Sequence, residues 1–215
     1  MKIENNFISI VAIGSFNPEI LKPKFLTEVC DVEFNSDTKF QLIPNMVSDI
    51  QCGNYKFLMD VTRFQITEEN IKDFKDTKIL SIMYKYLKTL KYTPLFKLGY
   101  NLNINITNGN VLRKINKKIN IREWVNFFKT NGISYAITRV IENSELEKIV
   151  SLKIKIPKKD KNSINIHFKD IGDKFMVNYN YELGKEDFFK FYKEKESIKV
   201  IEEDFKKTLI FMFGE

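Results

Sequence analysis

The side chains that usually carry enzymatic chemistry are thinly spread in this sequence. His167 is the only histidine. Mechanisms that need two imidazoles, including a paired acid and base on RNA and most zinc sites, therefore lack one of them. His167 also falls between Asn165 and Lys169 on the polar side of an alternating segment, where an exposed, structurally idle histidine is the favoured reading. A serine nucleophile would need a strand-to-helix elbow of the form G-x-S-x-G, which does not occur, and Gly14-Ser15 alone is too little. Loops that cradle phosphate need clustered glycines so that backbone amides close around the anion, whereas the eight glycines here are isolated.

A metal-dependent nuclease needs acids on adjoining strands with a lysine nearby, commonly as E-x-K, and that tripeptide is absent. The D-x-K matches at Asp37, Asp73, Asp76 and Asp204 fall where loops or helices are expected. Glu202, Glu203 and Asp204 open the terminal helix, where the helix dipole accounts for them. A metal nuclease is thus the disfavoured third reading, with no catalytic or metal-ligating residue assigned and no cofactor expected. Asp60 and Arg63 lie in a segment, 55–66, that reads as one long strand and would point them to opposite faces. A salt bridge or edge-strand role is favoured over a pocket. Cys30 and Cys52 are not in a C-x-x-C pair and read as reduced packing residues of a cytoplasmic chain. Asn105-Ile106-Thr107 matches a glycosylation sequon by chance. No apolar run approaches the roughly 18 residues of a membrane span, so no membrane partner is expected.

Without a catalytic constellation, surfaces become informative. The formal charge is +7, and it is regional. Residues 1–110 hold 13 basic and 12 acidic groups, 111–169 hold 14 and 5, and 170–215 hold 8 and 11. Arg113, Lys114, Lys117, Lys118 and Arg122 form a dense basic segment, which Lys153, Lys155, Lys158, Lys159 and Lys161 could extend. Neutralising phosphates with such groups is how a protein binds nucleic acid. A solvated lysine-rich face is the plainer reading, because the exposed sheet face carries few aromatics for stacking on RNA bases. Phe188, Phe189, Phe191 and Tyr192 are too many aromatics for one narrow helical stripe. Phe188, Phe189 and Tyr192 are therefore candidates for contact with another protein, although capping the core is the plainer role.

The elements that must position these residues follow from periodicity. Leu98, Tyr100, Leu102, Ile104 and Ile106 alternate with Gly99, Asn101, Asn103 and Asn105. Similar alternation runs through 152–156, 164–168 and 175–183, as expected of an antiparallel sheet with one packed and one wet face. If those strands are neighbours, Asn101, Asn103, Asn105, Asn165, His167, Asn178 and Asn180 make an amide-rich face. Phe7 to Ile13 is apolar at nearly every position and suits a central strand covered on both faces. Asn17-Pro18-Glu19 and then Pro23 start a short helix running to Cys30, and Asp31 to Pro44 reads as a loose strand and loop. Ile79, Ile82, Met83, Tyr86, Leu87 and Leu90 form the apolar stripe of a helix over 77–91. Asn120 caps a helix holding Trp124, and Ile201 to Phe213 forms a last helix.

The expected fold is α+β, a largely antiparallel sheet with amphipathic helices packed on one face. It forms one compact domain over 1–215; the halves 1–96 and 97–215 share an element order, a pseudo-repeat of pattern for which coincidence is favoured over duplication. The expected function is non-enzymatic. The protein would bind another protein chain, or itself, in an assembly. Nucleic acid bound through the basic region 111–169 is the alternative.

Overall fold

The computed structural model describes residues 2–71, 76–107, 136–143, 148–157, 163–170, 174–193, 199–201, 203 and 205–207. The protein is α+β, and every strand pairing whose register is described is antiparallel. The strands are β1 (Lys2–Gly14), β2 (Lys39–Ile43), β3 (Val47–Cys52), β4 (Tyr55–Asp60), β5 (Arg63–Glu69), β6 (Leu95–Thr107), β7 (Ala136–Asn143), β8 (Lys148–Pro157), β9 (Ser163–Asp170) and β10 (Lys174–Leu183). The helices are α1 (Pro23–Cys30), α2 (Ile79–Thr89) and α3 (Lys185–Lys193), with a 3-10 turn at Pro18–Ile20. The chain divides into two compact units, one built from 7–101 and 182–203, the other from 1–6, 102–181 and 204–215.

In the first unit the strand order is β2-β3-β4-β5-β1-β6. Period-two alternation places the apolar set on one side, and the register aligns it into rows. Ile10 lies opposite Ile66, Ile66 opposite Phe57 and Phe57 opposite Ile50, all four fully buried. The helices cover this side. The ring of Tyr86 on α2 packs 4.6 Å from Phe64 and 6.0 Å from Phe25 of α1, and Phe191 of α3 lies 6.3 Å from Tyr100 of β6. The α2 stripe is buried as its spacing predicts, from Ile79 through Leu87, with Leu90 half-buried and Lys78, Lys88 and Lys91 exposed. Asn17 caps the 3-10 turn by accepting from the Glu19 N–H at 3.0 Å, and Pro23 opens α1.

Two expectations need correction here. The span 55–66 is two strands joined by a tight turn at Val61-Thr62. Asp60 Oδ1 accepts from the Thr62 N–H at 2.7 Å and from its hydroxyl at 2.8 Å, a side-chain-to-backbone bond that competes with strand continuation. Folding the segment back also puts Asp60 and Arg63 on the same face of the sheet instead of opposite ones. β1 is central, between β5 and β6, but it is covered fully on one side only. Ile8, Ile10 and Ala12 are buried, while Val11 is half-buried and Ile13 exposed. The strand and loop expected between Asp31 and Pro44 are present as a loop followed by a regular strand, β2, paired residue for residue with β3.

In the second unit β10, β9, β8 and β7 lie side by side in that order, with β6 beyond β10. Tyr179 lies opposite Ile166, and Ile166 opposite Ile154. Tyr179 is buried with Leu102 and Ile104, and the Phe205 ring lies 5.4 Å from it. The opposite side is not simply wet. Asn101 and Asn103 are only 8% and 3% exposed. Asn103 Oδ1 accepts from Asn178 Nδ2, and this amide pairing offsets the cost of withdrawing Asn103 from water. Residues 199–201, 203 and 205–207 are helical, with Ile201 and Phe205 buried. The remainder of the expected terminal helix and the Trp124 helix lie outside the described residues.

Candidate functional site

Two features of the first unit could meet a ligand or another chain. One is a cleft of about 630 Å³ between the loop after α1, the β3–β4 turn and the first turns of α2, a volume within the range of small-molecule sites. Backbone geometry opens it. Asp31 closes α1 in the left-handed region (φ 55°), and Gly53 turns the hairpin at φ 54°.

Several titratable groups of the cleft are engaged. Glu68 Oε1 accepts from the Tyr55 hydroxyl at 3.0 Å, while Oε2 accepts from the Thr77 hydroxyl at 2.6 Å and the Lys78 N–H at 3.2 Å. This carboxylate fastens β4 and β5 to the start of α2. Burial, then the charge and hydrogen bond of Glu68, push the Tyr55 hydroxyl well above its ordinary value. Burial likewise pushes the Cys30 thiol up to about 12, against the opposing pull of Lys85 and with a smaller push from Asp31. Lys85 forms an ion pair with Asp31, and that hydrogen bond raises its own pKa. Cys52 donates its thiol to the Glu33 carbonyl at 3.4 Å. A nucleophilic cysteine needs a lowered pKa, and a general base needs a free lone pair aimed at substrate. Cys30 is a protonated thiol at neutral pH, and Glu68 is committed to three donors. As placed, neither Cys30 nor Glu68 is the activated nucleophile or the free base that a reaction in the cleft would need.

The second feature is the outer edge of the sheet. β2 is the end strand, and among the described residues no strand pairs with its outer side. Its hairpin is set by sequence. Pro44 and Asn45 occupy the turn, Asn45 takes φ 56°, and the Met46 N–H donates to the Ile43 carbonyl at 3.0 Å, as Pro and Asn at the middle of a turn favour. Thr38 and Asn35 fix the other end, where the Asn35 N–H donates to the Thr38 hydroxyl at 3.2 Å. The register sets Phe40 opposite Ile50, so Phe40 is the fifth member of the core row Ile10, Ile66, Phe57, Ile50. Unlike the other four it is 43% exposed; Ile43, on the opposite face of the strand, and Met46, in the turn, are 40% and 63% exposed.

The residues expected from sequence to bind a partner are placed differently. Phe188 is fully buried and Phe191 nearly so, which makes them core residues of α3. Tyr192 stacks on Tyr84 of α2 at 4.2 Å, and Phe189 meets the same ring edge-on at 5.4 Å. Both remain half-buried. Of the basic candidates, Lys155 is exposed and Lys153 half-buried on β8, and the register sets Lys153 opposite His167 and His167 opposite Asn178. Arg113, Lys114, Lys117, Lys118, Arg122, Lys158 and Lys159 lie outside the described residues. The sequence suggested only a loose strand at β2, and not its place at the sheet edge, because the alternation lasts five residues. The signal was present in Phe40 and Leu42 alternating with Lys39 and Gln41 just before Pro44-Asn45. Compared with known protein families and with curated proteins, the chain matches none.

Proposed function

We propose that this protein acts without catalysis, by binding another protein chain as an interaction module or assembly subunit. The observation that carries this reading is the unfinished core row. An edge strand with open backbone hydrogen-bonding groups and an exposed Phe40, Ile43 and Met46 supplies both halves of strand addition, main-chain bonds for affinity and apolar side chains for selectivity. The engaged carboxylate and protonated thiol of the cleft also support a non-enzymatic role.

The test is size exclusion with light scattering and an absorbance ratio on full-length protein purified from its native host, beside a Phe40→Lys variant. Phe40 is on the surface, so the variant should fold with an unchanged circular dichroism spectrum. A protein-like complex above 25.5 kDa that Phe40→Lys loses supports the reading. Substrate turnover by the purified chain would refute it.

The nucleic-acid reading keeps one observation in its favour, the adjacency of β8 and β9 that sets Lys153 and Lys155 opposite His167 and Asn165. A nucleic-acid-like absorbance ratio that high salt removes would put that reading first.

A further inference from the structure

Resting on the binding reading, we propose that the chain's partner at β2 is a second copy of itself, the two β2 strands pairing antiparallel about a two-fold axis at Gln41. The edge sets three requirements. The added segment must be extended, because the exposed backbone groups of a strand edge are satisfied by another strand. It must place apolar residues opposite Phe40 and Leu42, which share the face of the buried row. It must also bring no positive charge opposite Lys39, since like charges directly opposed across a ladder destabilise it.

β2 meets all three by itself. About an axis at Gln41, Phe40 falls opposite Leu42 of the second copy and Lys39 opposite Ile43. The row Ile10, Ile66, Phe57, Ile50 and Phe40 then continues into Leu42 of the other chain. Leu42 is in turn opposite Ser48, and Ser48 opposite Met59, both fully buried. Two incomplete cores are thereby joined edge to edge. Among the described residues, the devices that usually blunt an edge are missing from its centre. Lys39 and Pro44 stand at or beyond the ends, and the β2–β3 register runs without a bulge. Five residues a side form a small contact, so a weak dimer that grows with concentration is expected.

The measurement is sedimentation velocity on the full chain at increasing concentration, on wild type, Gln41→Lys, Gln41→Glu and an equimolar mixture of the two variants. Gln41 is exposed, so neither change should disturb folding, which a thermal melt verifies. Wild type is expected to move from 25.5 kDa toward twice that mass. Each variant should dimerise about tenfold more weakly or worse, because it opposes like charges on the axis, and the mixture should regain the lost affinity. A wild type that stays monomeric, variants that dimerise like wild type, or a mixture that recovers nothing would each overturn the proposal. If wild type stays monomeric while Phe40→Lys still abolishes recovery of a different protein, self-pairing fails and the binding reading stands.

Discussion

Asp60 shows how much local structure one carboxylate can set. Partial burial works to raise its pKa, but the hydrogen bonds from Thr62 and the Arg63 N–H, with the Arg63 charge, outweigh that and hold it below the ordinary value. A carboxylate depressed in the folded state contributes stability that is fully present above the unfolded value of about 3.9 and lost as pH falls through the folded value. Asp60→Asn keeps a side chain able to form the same turn but removes the charge. The stability gap between wild type and Asp60→Asn, from urea denaturation, should be constant from pH 7 to about pH 5 and should shrink below about pH 4. A gap that persists unchanged to pH 3 would mean the charge contributes nothing. The same residue explains a misreading of the sequence. Tyr55 to Ile66 is apolar enough to pass for one strand, and only the geometry of Asp60 accepting from Thr62 reveals the reversal.

Among the elements, α2 was the most legible, because eleven residues with a 3.6-residue stripe leave little choice of which face is buried. β6 and β10 were legible for the same reason at period two. β2 was legible only as a loose strand and β3 not at all, since strands of five and six residues carry too few alternations to stand out from a polar loop. The aromatic cluster of α3 was visible as a cluster but not in its allocation. Whether Phe188 or Phe189 faces inward depends on the position of Tyr84, more than a hundred residues earlier. The attachment of α2 to the sheet was likewise hidden, because Glu68 reads as one exposed acid among many. Removing its carboxylate strands the Tyr55 and Thr77 hydroxyls and the Lys78 N–H. Glu68→Ala should therefore lower unfolding free energy by about 2 kcal/mol in urea. An unchanged denaturation midpoint would show that water replaces the carboxylate without loss.

For the molecule as a whole, neither compact unit is a continuous stretch of chain. Residues 182–203 return to complete the unit begun by 7–101. Composition could not reveal this, because no Pro-, Gly- or Ser-rich linker marks either crossing. The returning segment supplies α3, whose buried Phe188 and Phe191 lie over the α2 and β6 side of the unit. A fragment ending at Asn101 forfeits both rings, each worth about 3–5 kcal/mol when truncated in a core, which is comparable with the whole stability of a small domain. Expressed alone, residues 1–101 should lack a cooperative thermal transition, and adding a separate 182–203 peptide should restore one. A cooperative melt of the fragment by itself would show that the first hundred residues form an independent core.

The short β2 strand also works as a ruler. Bounded by the Asn35–Thr38 turn on one side and Pro44 on the other, it offers about 17 Å of edge, enough to measure out five residues and no more. Any segment laid along it is read at two positions on the core side and three on the other. A longer partner gains nothing from its extra length, and a one-residue slip turns its apolar side chains to the wrong face.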